Sequence, residues 1–198
     1  MQYQTDLLID RNIEEGLHVH PCSWSAVSEM ILTKHYLKRQ PNAKYSFLLV
    51  NSGDRVGACV IGNPVVNEIN VGVCRDNPKL VLELNRLWVD DCMPRNTESW
   101  FVTRCLKMIP PRIVVSYADT AQGHLGIIYR ACNFKYAGLS KDAYDWIMPG
   151  NDKHSRSYKW GEGIKVKRSP KHRYWITTGN KKERKKLAAM CGWENVAW

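Results

Sequence analysis

Two stretches of the chain each run from a strand pattern through a polar turn into a helix pattern, and this repetition restricts the fold most. In the first, Leu80–Val89 reads as a strand with Leu82, Leu84, Arg86 and Trp88 on one face. It breaks at Asp90, Asp91 and Pro94, and Thr97–Ile109 follows as a helix with Phe101, Cys105 and Ile109 in line. In the second, "RIVVSY" (112–117) is a buried strand and "AQGHLGIIYRACNF" (121–134) a helix, with the double proline 110–111 separating the two units. Two adjacent parallel strands, each followed by a helix, leave a crevice at their C-terminal ends where ligands bind.

The flanking segments complete an α/β pattern. Ser23–Tyr36 reads as a helix capped by Ser23, with Val27, Ile31 and His35 at helical spacing. Tyr45–Val50 and Arg55–Ile61 form a hairpin across "NSGD", and residues 62–79 read mostly as loop. "KYAGLS", "AYDWIM" and "HRYWITT" are later strands, and Lys181–Met190 is a short basic helix. The expected architecture is one α/β domain, a mixed sheet flanked by helices. Residues 1–150 form its main body and 151–198 a basic C-terminal segment packed on it.

Charge sharpens this division. Residues 151–198 hold 13 Lys/Arg and 4 Asp/Glu, whereas 1–150 hold 16 and 15, so nearly all of the +10 net charge sits in the last quarter. Basic residues interleaved with Trp160, Tyr174 and Trp175 suit phosphate contact with base stacking; a solvated basic surface is the alternative. Lys165, Lys167, Arg168, Lys171, Arg173, Lys181 and Lys182 are the expected nucleic-acid contacts. The apolar runs are too short to span a bilayer, and the N-terminus lacks a signal-peptide pattern. Seven cysteines without a C-x-x-C pair fit neither a disulfide framework nor a zinc ribbon.

Several polar residues lie where chemistry is expected. Arg86, on a strand face with apolar neighbours, needs a partner: Asp90, Asp91 or Asp119, or a bound carboxyl, phosphate or acyl oxygen held by its bidentate fork. Ser116 and Asp119 end the second strand, and Gly123 permits close backbone approach at the following turn. His35 and Tyr36 close the first helix, and Tyr129 sits on the helix over 121–134. An oxygen-rich metal set of His35, Tyr36 and Asp119 would suit iron better than structural zinc.

"ELNRLWVDDCMPRNTES", "VVSYADTAQGHLGIIYRACNFKYAG" and "KHY" at 34–36 closely resemble the Mom family of phage DNA-modification proteins, which in turn resembles acetyltransferases of the GNAT superfamily. The resemblance spans about residues 20–140. It implies a GNAT-like catalytic domain that converts adenine in DNA to its N6-carbamoylmethyl derivative, shielding phage DNA from restriction in the cytoplasm of the infected bacterium. It implies catalytic roles for Asp119 (base), Tyr129 (acid), Ser116, His35 and Tyr36. Donor contacts would come from Arg86, Arg95, Asn96, Ser99 and Gly123. GNAT enzymes hold the coenzyme A pyrophosphate on a glycine-rich loop; Arg95-Asn96-Thr97-Glu98-Ser99 has no glycine and adds the Glu98 charge. The donor is therefore either acetyl-coenzyme A or an aminoacyl-tRNA. Glycyl-tRNA qualifies because a glycyl group is an isomer of carbamoylmethyl. Expected partners are double-stranded or locally unpaired DNA and, with the second donor, tRNA; a homodimer is compatible. The rival readings are an N-acetyltransferase acting on a protein or small amine, and a DNA-binding protein without catalysis.

Overall fold

A computed structural model describes residues 16–148, 150 and 163–197. The elements in chain order are β1 (Leu17–Cys22), α1 (Trp24–Thr33), β2 (Tyr45–Asn51), β3 (Asp54–Gly62), α2 (Asn67–Val73), β4 (Val81–Val89) and α3 (Thr97–Met108). After these come β5 (Ile113–Asp119), α4 (Ile127–Ala131), β6 (Lys135–Leu139), β7 (Tyr144–Ile147), β8 (Ile164–Lys167), β9 (Lys171–Thr177) and α5 (Lys181–Met190). Seven strands form one mixed sheet in the order β1-β2-β3-β4-β5-β9-β6, and β7 and β8 pair separately. The α/β class and mixed sheet are as expected. The basic C-terminal residues are not an appendage throughout, because β9 is an interior strand hydrogen-bonded to both β5 and β6.

Helices cover both faces of the sheet. On one face α3 brings Phe101, Val102, Cys105 and Leu106 against Phe47, Cys59, Ile61, Leu82 and Leu84. On the other, α1 packs Val27, Met30 and Ile31 on Ala58 and Val60, while α2 and α5 bring Val73 and Leu187 against Val81, Ile113, Val115 and Trp175. The β2–β3 hairpin turns through Ser52 and Gly53, both at positive φ (49° and 97°), the backbone that matches strand twist in a two-residue turn.

Four local readings need correction. β1 and α2 stand where the sequence pattern showed no strand and a loop. His35 and Tyr36 lie past the end of α1, which stops at Thr33. The helix expected over 121–134 is only α4 preceded by a 3-10 turn, because Gly123 and Gly126 adopt left-handed backbone (φ 66° and 69°) that interrupts helical hydrogen bonding. Finally, Leu84, Arg86 and Trp88 do not share a face. Val60 pairs with Arg86 but Ile61 pairs with Leu84, so Asn85 is an extra residue in β4 and inverts the alternation after it. Leu84 faces α3, whereas Trp88 packs with the α1 cluster and Arg86 stands on that same side.

Among the described residues β4 and β5 are the one parallel pair, and they pair only over Val81–Glu83 and Ile113–Val115. Beyond that point they splay apart. The bulge and the splay occur together, and the site opens there.

Candidate active site

A cleft of about 1520 Å³ opens where β4 and β5 diverge. Its walls are the segment after α1, the bulged part of β4, the end of β5, the loop 123–129 and the β7–β8 hairpin. His35, Tyr36, Arg86, Asp119, Gly123 and Tyr129 all line it. His35 and Tyr129, 94 residues apart in sequence, thus meet in one cleft.

His35 is 7 % exposed. Its Nδ1 accepts the Leu37 N–H (3.1 Å), and its ring stacks on Tyr36 with centroids 4.5 Å apart. Burial, reinforced by the Arg86 and His124 charges, lowers its pKa to about 4. The ring is therefore neutral at physiological pH, and with Nδ1 accepting, the proton sits on Nε2. Tyr36 is half exposed and meets His124 edge-on at 5.5 Å. Burial and then the Asp119 charge raise its hydroxyl above the ordinary tyrosine range.

Arg86 donates from Nη1 to the Asn85 carbonyl (2.6 Å) and from Nη2 to the Arg39 carbonyl (3.5 Å). Its buried Nε has no hydrogen-bond partner among the described residues. Neither Asp90, Asp91 nor Asp119 forms a salt bridge with it, so the expected structural partners are not its partners. A guanidinium with an unmet buried N–H on a cleft wall is prepared for an anionic or carbonyl oxygen.

Asp119 is held from three sides. Oδ1 accepts from the Ala121 N–H (3.0 Å) and the Ser169 hydroxyl (2.6 Å), and Oδ2 pairs with Lys171 Nζ at 3.2 Å. Burial raises its pKa, but the Ser169 and Ala121 hydrogen bonds and the Lys171 charge outweigh it, and the carboxyl lies below its ordinary value. Asp119 thus caps the turn at 120–122 and also presents an ionised carboxylate to the cleft. Ser116 is fully buried. Its Oγ donates to the Leu84 carbonyl at 3.2 Å, bridging the two splayed strands. Burial pushes the Tyr129 hydroxyl up to about 12, with Ser116 acting in the opposite sense. Its ring sits 5.2 Å from Tyr174 and 5.4 Å from Phe134.

Other sequence-derived contacts fall elsewhere. Arg95, Asn96 and Ser99 do not line the cleft. Asn96 supplies the left-handed backbone (φ 72°) a glycine would have given; Thr97 Oγ1 donates to the Pro94 carbonyl (2.6 Å) and Ser99 Oγ to the Asn96 carbonyl (3.0 Å). With both hydroxyls engaged and Glu98 in the first turn, this turn does not suit a pyrophosphate. A metal on His35, Tyr36 and Asp119 fits no better. Nδ1 and both carboxylate oxygens already have partners, and no group of three or more His, Cys, Asp or Glu among the described residues could hold an ion.

The expected nucleic-acid contacts divide into two sets. Lys167 pairs with Asp142 (2.8 Å), Arg168 with Asp145 and Lys171 with Asp119, while Arg173 donates to the Ala137 and Gly138 carbonyls. Lys165 lies over the Tyr144 ring at 4.5 Å. Lys181 and Lys182 are exposed on α5, away from the cleft. Tyr174 and Trp175 are buried, 0 % and 3 % exposed, and cannot stack on bases; Trp160 lies outside the described residues. Sequence reasoning missed His124, Ser169 and Arg39. Only the "TAQGH" turn carried a signal, and that was read as helix.

Comparison with known proteins bears on the family and the fold. The chain is 36 % identical over 137 residues to the methylcarbamoylase Mom of Escherichia phage Mu, an alignment covering 65 % of this chain. The chain spans little more than half (56 %) of that relative's length. Among solved structures, a probable acetyltransferase from Staphylococcus epidermidis superposes with a TM-score of 0.50 at 8 % identity, covering 82 % of this chain and 99 % of that one. A Bacillus subtilis acetyltransferase in complex with coenzyme A reaches 0.49 at 10 % identity, covering 82 % and 99 %. The fold is thus that of GNAT acetyltransferases. The sequence pattern of the Mom protein family matches residues 16–190, which take in all the residues lining the cleft except Trp193, and the chain belongs to that family.

Proposed function

We propose that this protein is a transferase that modifies the N6 amine of adenine in DNA to N6-carbamoylmethyladenine, protecting phage DNA from restriction in the infected host's cytoplasm. The observation that carries the reading is the convergence of His35, Tyr36, Arg86, Asp119 and Tyr129 on one cleft inside the region matched by the Mom family. The likeness to a methylcarbamoylase supports this choice of product.

The amine of adenine is a poor nucleophile and is stacked in duplex DNA, so the base must leave the stack to enter the cleft. There the ionised Asp119 carboxylate accepts a hydrogen bond from the amine and orients it. Its depressed pKa makes it a weak base, but the attacking nitrogen becomes strongly acidic once the N–C bond forms, and a carboxylate then takes the proton. Arg86 and the His35 Nε2–H offer donors to the carbonyl oxygen of the incoming group. Tyr129, protonated at neutral pH, gives its proton to the leaving group as that bond breaks. A glycyl group on N6 rearranges to carbamoylmethyl without gain or loss of atoms. The engaged hydroxyls of the 95–99 turn favour a glycyl-tRNA donor over coenzyme A.

Mass spectrometry of nucleosides from cells expressing the protein tests the proposal. The expected result is a carbamoylmethyl adduct of adenine with the wild type and none with Asp119→Asn; unmodified DNA in both refutes it. Purified protein incubated with DNA and either glycyl-tRNA or acetyl-coenzyme A separates the donors.

A further inference from the structure

We propose a phosphate-backbone grip on the far end of β9, built from Lys135 and the exposed face of α5, distinct from the cleft and from its cationic rim. The partner assigned to it is duplex DNA; that choice rests on the function proposed above. A shallow depression of about 320 Å³ is lined by Lys135, Trp175, Thr177, Lys181, Arg184 and Lys185 together with Asn133 and Ile176, and no acidic residue lines it.

The case rests on which cations are already neutralised. At the cleft, Lys167, Arg168 and Lys171 each hold an aspartate, and Arg173 is turned onto backbone carbonyls. Releasing them to phosphate would mean breaking those contacts. On α5 the reverse holds. Lys181, Arg184 and Lys185 recur at i, i+3 and i+4, so three like charges crowd one helix face, an arrangement that weakens a helix unless an anion relieves it. None of the three has an acidic partner among the described residues. The single acid of this helix, Glu183, is engaged elsewhere: its carboxylate accepts the Asn180 N–H (2.7 Å) and completes a capping box. Lys135 extends the patch from the edge strand β6, held over the Trp175 ring at 4.5 Å. Four unneutralised cations fixed by a capped helix and a strand match the spaced charges of a phosphate backbone.

The placement also fixes a length. β9 begins at Lys171, beside Asp119 in the cleft, and ends at Thr177, in the patch. Six steps of about 3.3 Å set the two sites about 20 Å apart, roughly six base pairs along a duplex. The phosphates gripped at the patch therefore lie well to one side of the adenine in the cleft.

Binding of a fluorescent duplex to full-length protein, followed by anisotropy over a salt series, tests this without requiring any modification. Replacing Lys135, Lys181, Arg184 and Lys185 together with Gln should lower the slope of log K against log salt by about 3 to 4. Lys167→Gln with Arg168→Gln should change it by less than about 1. The quadruple variant should also raise KM on a long duplex while leaving kcat, and should not change KM on a duplex ending within about three base pairs of its adenine. An unchanged slope overturns the inference, as does a slope lost with tRNA and kept with duplex. If the wild type binds duplex through the patch but leaves adenine unmodified, the grip stands and the catalytic proposal falls.

Discussion

Gly126 and Gly123 offer a matched pair of substitutions that separates backbone strain from packing. Both have left-handed backbone, φ 69° and 66°. A Cβ on Gly123 meets nothing within 4 Å, whereas one on Gly126 presses into the Tyr174 ring and lies 2.6 Å from its hydroxyl oxygen. Tyr174 cannot withdraw: it is 0 % exposed, and its hydroxyl donates to the Leu125 carbonyl at 2.7 Å. Gly123→Ala should therefore cost only the left-handed conformational penalty, about 1–2 kcal/mol. Gly126→Ala bears the same penalty plus overpacking of a filled core, about 1–3 kcal/mol more. Any gain from stiffening the unfolded chain is common to both and cancels in their difference. Urea denaturation should separate the two variants by about 2 kcal/mol, and thermal melting by about 4–8 °C for a chain of this size. Equal losses would refute the packing argument. Because Gly126 also sets the loop that brings His124 against Tyr36, its variant should lose more activity than Gly123→Ala at a temperature where both are folded.

The remaining predictions concern the cleft. Tyr129→Phe removes only the hydroxyl that Tyr129 brings to the cleft, so the turnover rate should fall about 10²-fold or more while the urea midpoint barely moves. Arg86→Lys should recover little of the activity lost in Arg86→Ala, since an ammonium cannot reproduce the fork; steady-state kinetics of both decide it. The folded pKa of His35, near 4, lies below its unfolded value of about 6.5, so the unfolded chain binds more protons between these limits. The stability contributed by neutral His35 is present above about pH 6.5 and is lost as pH falls towards 4. His35→Gln should flatten that part of the stability profile measured by urea at pH 7 and pH 5. Asp119→Ala should cost about 1 kcal/mol more stability than Asp119→Asn, which keeps an acceptor for the Ala121 N–H, while both should abolish modification.

The two strand–helix units were legible because their apolar spacing is local. The crevice they frame is where the site lies. What escaped depends on distant partners. α2, "NEINVGV", has little periodicity and is held by Val73 entering the core under α5. β1 alternates histidines with apolar residues on a sheet edge and carries Pro21, a weak strand signal that its pairing with β2 overrides. The bulge at Asn85 is invisible in the sequence, since it exists only as a mismatch with β3. It decides which side of the sheet Arg86 faces. Among the cleft residues, Arg86 was legible as a charge on an apolar strand, while roles for His35, Tyr36, Asp119 and Tyr129 came from the family pattern. The residues that set their ionisation came from the fold: Ser169 and Lys171 reach Asp119 only because β9 pairs with β5, 50 residues away in the chain for Ser169.

That insertion of β9 between β5 and β6 has a further consequence for how the protein comes into being. The sheet cannot close, nor Tyr174 and Trp175 fill its interior, until Thr177 has been made and released, so a nascent chain lacks this interior strand until late in synthesis. A shortened form ending near residue 150 would expose β5 and β6 as unpaired edges, inviting aggregation rather than yielding a minimal enzyme. Late completion of this segment also means that, until then, Asp119 lacks the Ser169 and Lys171 contacts that hold it.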